Sequence, residues 1–140
     1  MGNERPLEIL VSIRPRWAEA IMDGRKTVEY RRNIPMKTRL QIGKMWIYAT
    51  KPTGMVLGVA DVEVWTGMFN DERCAKAGCL TLEELREYFK GAEYAFAIKI
   101  LKVTPFKKPK TLAEIGVRRA PQSWMYLNRR DMDNEAQRKS

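Results

Sequence analysis

The 140-residue sequence contains no histidine, and this absence excludes a large class of chemistry. Serine and cysteine nucleophiles that depend on a histidine base are ruled out, so any acid–base step must use Lys, Asp, Glu, Tyr or Cys. The chain has only two cysteines, Cys74 and Cys79. They fall short of the four ligands typical of a structural zinc site, and in a reducing compartment we expect free thiols. The sequence predicts neither a metal nor a cofactor.

Long apolar runs are missing as well. No stretch approaches the ~20 apolar residues that a membrane-spanning helix requires. The N-terminal residues 1–6 lack the apolar core of a signal peptide. A glycine-rich phosphate loop is also absent, since residues 54–58 indicate only a turn and a bend. We therefore expect a cytoplasmic protein that does not contact membranes.

The residues that are present are typical of one globular domain. Hydrophobic residues make up 44% of a 16.3 kDa chain, which is long enough to bury a core. No linker or internal repeat divides the sequence. We predict a single domain over residues 1–130 and a disordered tail over residues 131–140.

Positive charge dominates and is unevenly distributed. The net charge is +9, made up of +5 over residues 1–50, −2 over residues 51–100 and +6 over residues 101–140. If the two basic ends meet in the fold, the surface is polarised. A polarised basic surface indicates a polyanionic partner, nucleic acid first.

Hydrophobic patterning predicts an α+β fold. The predicted strands cover residues 8–14, 26–32, 44–49, 55–65 and 94–103. The predicted helices cover residues 16–23, 81–89 and 121–127. Thr81 and Thr111 each begin a capping-box pattern, and Pro105 is expected to end the last strand before a basic loop over 106–110. Short helices among five strands favour a small, curled, mostly antiparallel sheet or barrel.

The segment between the first helix and the second strand is dense in charge. Arg25, Lys26, Arg31 and Arg32 surround the single carboxylate of Glu29. Such a cluster forms either a solvated edge or a site. Strand periodicity would place Lys26 and Glu29 on opposite faces unless a bulge intervenes.

This segment resembles the signature of the ASCH domain, named for activating signal cointegrator homology. The strand Val11-Ser12-Ile13-Arg14-Pro15, a helix and then Gly24-x-Lys26-x-x-Glu29-x-Arg31 carry the resemblance, which covers roughly residues 8–128. Segments 48–50, 58–60 and 121–127 are also similar to bacterial, archaeal and phage members. The resemblance implies a PUA-like β-barrel whose cleft beside the first helix binds RNA or a modified nucleoside.

One bacterial branch of the family hydrolyses the acetyl amide of N4-acetylcytidine with a Lys, a Thr and a Glu. The resemblance places that lysine on Lys26, but Glu29 occupies the position of the threonine. The glutamate falls near Gly78, and the nearest upstream carboxylates are Asp71 and Glu72. Lys26 is therefore the one catalytic candidate that the resemblance transfers.

The predicted site combines the signature with polar and aromatic residues around it. Lys26 is expected at a phosphate or carbonyl, and Glu29 at a base amino group. Arginine forks grip phosphates, indole and phenol rings stack on bases, and a late serine can donate to the ligand. The predicted ligand-binding set is Ser12, Arg14, Trp17, Lys26, Thr27, Glu29, Arg31, Arg32, Tyr48, Ser123 and Trp124. The structural alternatives are an ion pair of Glu29 with Arg31 or Arg14, and aromatic side chains that belong to the core.

We predict a module that binds RNA or a nucleotide, regulatory in RNA metabolism or transcription; DNA stays open as a partner. One alternative is a small hydrolase that acts on an acylated nucleoside or on RNA, with Lys26 as base. The other is a protein-interaction module that recruits a partner through residues 129–140.

Overall fold

The computed structural model describes residues 6–34, 41–92 and 95–127. The predicted tail over 131–140 lies outside these residues. Within them the chain forms six strands, three α-helices and a short 3-10 turn at Ala113–Ile115. The strands are β1 (Leu7–Ile13), β2 (Val28–Arg31), β3 (Ile42–Ala49), β4 (Met55–Gly67), β5 (Ala95–Lys110) and β6 (Trp124–Tyr126). The helices are α1 (Pro15–Met22), α2 (Glu72–Ala77) and α3 (Leu82–Phe89).

All six strands belong to one curled sheet, which confirms the α+β class. The strand order is β2-β5-β4-β3-β1-β6. The pair β1–β3 is parallel, and the other neighbouring pairs are antiparallel. Three strands separate β2 from β1 in this order, yet Arg31 at the end of β2 donates to the carbonyl of Ser12 in β1 at 3.0 Å. The sheet therefore curls into a half-barrel.

β1 anchors the core because both of its faces are buried. Ile9, Val11 and Ile13 belong to the main apolar cluster. Leu10 points into a second cluster on the other face, where it packs with Tyr48. Fully burying each such aliphatic side chain stabilises the fold by roughly 1.5–3 kcal/mol. This packing fixes the C-terminal end of β1, from which the polar residues of the cleft emerge.

β5 is longer than the sequence indicated. The prediction that Pro105 ends this strand is wrong, because β5 continues to Lys110. Gly58 pairs with Pro105 and Val56 with Lys110, so β5 advances five residues while β4 advances two. Beyond Ile100, β5 has no described neighbour other than β4, and a proline is tolerated on such an edge. Residues 106–109 form a bulge in this strand rather than a free loop.

The helix predicted over residues 121–127 is also wrong. Residues 124–126 form β6, which pairs antiparallel with β1 through Val11–Trp124, Leu10–Met125 and Ile9–Tyr126. The conformation of this short aromatic segment is determined by its pairing with β1, and local periodicity does not reveal such a pairing.

The ends of the helices follow the local signals. Pro15 occupies the first turn of α1, and Gly24 closes its C-terminal side with φ +86°, a conformation that favours glycine. Thr81 and Glu84 form a reciprocal capping box at the start of α3. These two ends direct the chain around the cleft. Within the described residues, no helix is both long and apolar enough to cross a membrane.

Candidate functional site

A cleft of about 500 Å³ opens between the end of β1, α1, β2 and α3. Its walls combine charged, aromatic and aliphatic side chains. They are Ser12, Ile13, Arg14, Trp17, Lys26, Glu29, Tyr30, Arg31, Leu80, Glu84, Glu87 and Tyr88. The volume suits a ligand of small-molecule or single-nucleotide size.

Lys26 is buried in the wall of this cleft, with only 3% of its surface exposed. Its Nζ donates to the carbonyl of Gly78 at 2.6 Å and lies 3.3 Å from Oε1 of Glu29. The expectation that Lys26 and Glu29 lie on opposite strand faces is wrong. β2 begins only at Val28, so Lys26 precedes the strand and its period-two alternation does not apply.

Glu29 links Lys26 to Arg31. Its Oε2 lies 2.9 Å from NH2 of Arg31, so one carboxylate pairs with two cations. Arg31 also donates to the Oγ of Ser123 and to the carbonyl of Ser12, each at 3.0 Å. This guanidinium thus bridges the open seam of the half-barrel between β2 and the edge formed by β1 and β6.

The Lys26–Glu29–Arg31 network is not neutral and not fully satisfied. Two cations face one carboxylate in a largely buried wall. Nε of Arg31 is buried and has no hydrogen-bond partner among the described residues. Leaving a donor in this state costs about 1–3 kcal/mol. A bound anion would satisfy both features, since it would balance the excess charge and accept from the free donor.

Gly78 supplies a backbone acceptor near the position to which the resemblance assigns the glutamate of the hydrolytic branch. A Cβ at this position would lie 2.8 Å from Cε2 of Tyr30, closer than side chains tolerate. Asp71 caps α2 by accepting from the backbone N–H of Cys74 at 2.8 Å, and neither it nor Glu72 lines the cleft. Of the three catalytic positions in that branch, only Lys26 is matched here.

Aromatic rings complete the cleft. Trp17 lies at the start of α1, with the guanidinium of Arg16 4.2 Å from its ring centroid and that of Arg14 at 6.0 Å. Burial raises the pKa of Tyr88, against an opposing effect of the nearby Arg31 charge. Burial is also the main cause that raises the pKa of Tyr30, whose hydroxyl donates to the carbonyl of Cys74 at 2.8 Å. Both phenols therefore remain protonated at neutral pH. The Tyr30 proton is already donated to Cys74, which leaves Tyr88 as the candidate phenolic donor to a ligand.

The structure brings most of the predicted site residues together. Seven of the eleven are joined at the cleft, six in its lining and Ser123 through its bond to Arg31. These seven are Ser12, Arg14, Trp17, Lys26, Glu29, Arg31 and Ser123.

The other four lie apart from the lining. Thr27 is exposed, and its Oγ1 donates to the carbonyl of Ala77 at 3.4 Å. Arg32 is exposed beyond the end of β2. Tyr48 is buried in the second apolar cluster, and Trp124 packs against the main core beside Tyr126.

Sequence reasoning missed the contribution of α3. Glu84, Glu87 and Tyr88 line the cleft, and their spacing of three and four residues places them on one helix face. That spacing was visible in the sequence, but nothing local indicated that this face meets α1 and β2. Among the described residues, no group of three or more Cys, Asp or Glu side chains could hold a metal ion.

Comparison with known proteins defines the class. The family model described as the ASCH domain matches residues 11–104, two thirds of the chain. The chain therefore belongs to the ASCH domain family, and its curled sheet is the PUA-like half-barrel that the signature implied.

Several proteins that this chain resembles come from Zymomonas mobilis. The chain is 34% identical over 131 residues to an ASCH domain-containing ribonuclease of that organism, covering 89% of this chain and 86% of the relative. A crystal structure of ASCH from Zymomonas mobilis matches with a TM-score of 0.77 and 31% identity, over 93% of this chain and 94% of the other. A variant of it with one serine replaced by alanine gives 0.78 at the same identity and the same coverage of both chains.

Proposed function

We propose that this protein binds RNA and holds one nucleotide of the strand in the cleft. The observation that carries the proposal is the Lys26–Glu29–Arg31 network. It places an excess of positive charge and an unsatisfied donor in the wall of a nucleotide-sized cavity. A buried excess of positive charge favours an anionic ligand such as a phosphate.

The other walls of the cleft suit the rest of a nucleotide. Trp17 offers a ring on which a base can stack. Glu84 and Glu87 offer carboxylates that can accept from base amino groups or ribose hydroxyls. The similar Zymomonas protein is by name a ribonuclease, and a ribonuclease must hold RNA.

The proposal predicts that RNA binding depends on the cleft cations. We expect the double variant Lys26→Ala/Arg31→Ala to abolish measurable binding of short RNAs, as followed by fluorescence anisotropy over a range of salt concentrations. The matched control is Arg25→Ala/Lys44→Ala, which removes the same charge from exposed ion pairs outside the lining. Binding that survives in the cleft variant, or that shows no salt dependence in the wild type, would contradict the proposal.

A milder variant keeps the test valid if the double variant does not fold. Trp17→Leu removes a half-buried ring that lines the cleft, keeps an apolar side chain against the main core, and leaves the ion network in place. Loss of one stacked base costs about 1–3 kcal/mol, so we expect Kd to rise roughly 5- to 150-fold. The matched control is Trp65→Leu, whose side chain is 53% exposed and lies outside the lining.

A second candidate function is RNA hydrolysis, which the name of the Zymomonas relative and the carboxylates in the cleft favour. A carboxylate such as Glu87 would take the proton of a ribose 2′-hydroxyl. The 2′-oxygen would then form a bond to phosphorus while the bond to the 5′-oxygen breaks. Tyr88, whose phenol is protonated at neutral pH, would give a proton to the leaving oxygen, and Lys26 would face the developing phosphate charge.

The measurement for this second candidate is cleavage of an end-labelled RNA. We expect Glu87→Gln to lower the rate at least tenfold, since general bases contribute typically 100-fold or more. Glu83→Gln is the control, because Glu83 lies on the same helix but outside the cleft lining. A strand with 2′-deoxyribose should resist cleavage, and equal cleavage of both strands would contradict this mechanism.

A further inference from the structure

Solvent-accessible Lys and Arg side chains accumulate near one end of the sheet. Residues 104–127 contain five Lys or Arg and a single acidic residue, Glu114, which accepts from the backbone N–H of Thr111. The turn after β3 adds a sixth cation. None of the six forms an ion pair within the described part of the chain. We call this set the basic end surface: Lys51, Lys107, Lys108, Lys110, Arg118 and Arg119.

Sheet register brings these residues to the same end. β1 and β3 finish together, with Ile13 beside Ala49, and β4 begins there because Ala49 also pairs with Met55. β5 finishes there too, with Lys110 beside Val56. Lys51 lies in the turn that joins β3 to β4 at this end.

The loop between the 3-10 turn and β6 reaches the same end. Val117 packs in the cluster of Tyr48 and Val56. The carbonyl of Pro121 accepts from the Oγ of Ser12 at 2.7 Å. Arg118 and Arg119 lie between these two anchored positions, and both are exposed.

A bulge displays the lysines of β5. Between Pro105 and Lys110 this strand holds three more residues than the facing segment of β4. Bulges redirect side chains away from the regular pleat. Lys107 and Lys108 are exposed, and Nζ of Lys110 lies 4.9 Å from the ring centroid of Phe106.

The basic end surface lies close to the cleft. Ser12, which lines the cleft, pairs with Tyr48; Tyr48 pairs with Val56, and Val56 with Lys110. This row spans three strand spacings of about 4.8 Å, so about 14 Å separates Ser12 from Lys110. Tyr48 and Val56 are themselves buried in the cluster of Val117, so the solvent-facing route between the two ends of the row passes over the loop that carries Arg118 and Arg119. The opposite wall of the cleft is the acidic helix α3, with Glu84 and Glu87. A polyanion held in the cleft is therefore repelled on the side of α3 and attracted on the side of β5.

We propose that the ligand is a single RNA strand several nucleotides long, which runs from the cleft over the exposed loop of Arg118 and Arg119 onto the lysines of the basic end surface. This inference rests on the proposed RNA binding and adds to it a second contact region outside the cleft, which only a strand of several nucleotides can reach. The lysines and arginines contact phosphates, so the surface adds affinity without reading sequence.

The test compares two RNAs and two charge-matched variants. The RNAs are a trinucleotide and a strand of about twelve nucleotides, in the range of single-strand binding sites. The variant Lys107→Gln/Lys108→Gln/Lys110→Gln removes three cations from the basic end surface. The control Lys76→Gln/Lys90→Gln/Lys99→Gln removes three exposed cations elsewhere. Affinity is measured by anisotropy between about 0.1 and 1 M salt, and a denaturing gel confirms that the RNA stays intact.

We expect the surface variant to bind the long strand with a weaker salt dependence than the wild type, and to bind the trinucleotide with an unchanged one. Each single-strand phosphate contact contributes about 0.7 to the slope of log K against log salt, so three contacts lower the slope by about 2. At 0.1 M salt this corresponds to roughly hundredfold weaker binding, which converges with the wild type near 1 M. Trinucleotide binding should be unchanged, and the control should bind both RNAs like the wild type.

The outcomes separate this inference from the proposed function. If the surface and control variants bind the long strand equally, the inference is wrong, while binding through the cleft stands as long as the trinucleotide is lost in Lys26→Ala/Arg31→Ala. If the surface variant loses the long strand but the cleft variant does not, the assignment of the cleft is wrong. If the wild type binds neither RNA, both proposals fail.

Discussion

The protein contains two ionic groups of similar chemistry in contrasting surroundings. In the cleft wall, Glu29 lies 2.9 Å from Arg31 and 3.3 Å from Lys26, and the three side chains are 3–13% exposed. Between β3 and β4, Lys44 lies 2.7 Å from Asp61, and these side chains are 41% and 45% exposed. The shortest of these contacts is therefore the one in water.

The distance between two charges therefore does not determine how much an ion pair contributes to the free energy of unfolding, because that contribution depends on how far water solvates the charges. An exposed pair contributes about 0–1 kcal/mol, since solvent already satisfies both charges. Removing one partner of a buried pair costs about 3–5 kcal/mol, because the other charge stays buried without compensation. Burying the cleft network costs desolvation free energy, and removing one of its partners destabilises the fold. Its place in the wall of an open cavity favours a role in ligand binding over a purely stabilising role.

The largest expected effect tests this difference directly. Glu29→Gln keeps the size of the side chain but leaves Lys26 and Arg31 buried without a carboxylate. We expect the free energy of unfolding to fall by about 3–5 kcal/mol, as measured by urea denaturation.

The matched change in the exposed pair is Asp61→Asn. It should lower the free energy of unfolding by less than about 1 kcal/mol, with an unchanged urea m-value. Equal losses in the two variants would show that the cleft network is as well solvated as the pair on the sheet surface. Burial would then not explain a difference between the two ionic groups.

A smaller effect is expected at Gly78, which positions the carbonyl that accepts from Lys26. In Gly78→Ala the new methyl group would overlap Tyr30, so the backbone or the ring must shift, at a cost of about 1–3 kcal/mol. Gly67→Ala is the control, because a Cβ there meets only ordinary contacts with Phe69, at 3.5 Å or more. Combining Gly78→Ala with Tyr30→Leu should recover part of the loss; strictly additive losses would argue against the clash.

Much of the fold could be predicted because its signals are local. The β-branched run of β1, the glycine after α1 and the capping box of α3 each specify their conformation within a few residues. The extension of β5 past Pro105 and the formation of β6 could not be predicted in the same way. The extension of β5 depends on pairing with β4, which accepts a segment that contains proline. The formation of β6 depends on pairing with β1, which accepts a segment of only three residues.

The candidate site could be predicted only as far as its linear motif. Lys26, Glu29 and Arg31 lie within six residues, so one signature contains them all. Ser12 and Ser123 also come together, although 111 positions separate them, because β1 pairs with β6. The α3 wall was missed since its residues carry chemistry only after the helix packs across the cleft. Tyr48 faces the second apolar cluster because of the strand phase of β3, which composition does not reveal.

A small effect is also expected at the cap of α3, the acidic wall of the cleft. Oγ1 of Thr81 accepts from the backbone N–H of Glu84 at 3.0 Å, and Glu84 accepts from the N–H of Thr81 at 2.9 Å. Thr81→Ala should lower the free energy of unfolding by about 1 kcal/mol, as measured by urea denaturation. Thr111→Ala removes the same pattern from a single 3-10 turn and should cost no more. A larger loss at Thr111 would show that the turn, not α3, depends more on its cap.

The same cap predicts a pH dependence whose sign follows from Glu84. The backbone hydrogen bond from Thr81 lowers the pKa of this carboxyl below its usual 4.5 in the folded protein. A depressed pKa stabilises the fold above the unfolded value, and the stabilisation is lost as the pH falls through the folded value. Glu84→Gln keeps the acceptor without the charge, so its unfolding midpoint should fall less steeply than that of the wild type between about pH 5 and pH 3. Parallel curves would mean that Arg16, 3.5 Å away, and the cap leave Glu84 no more acidic than in the unfolded chain.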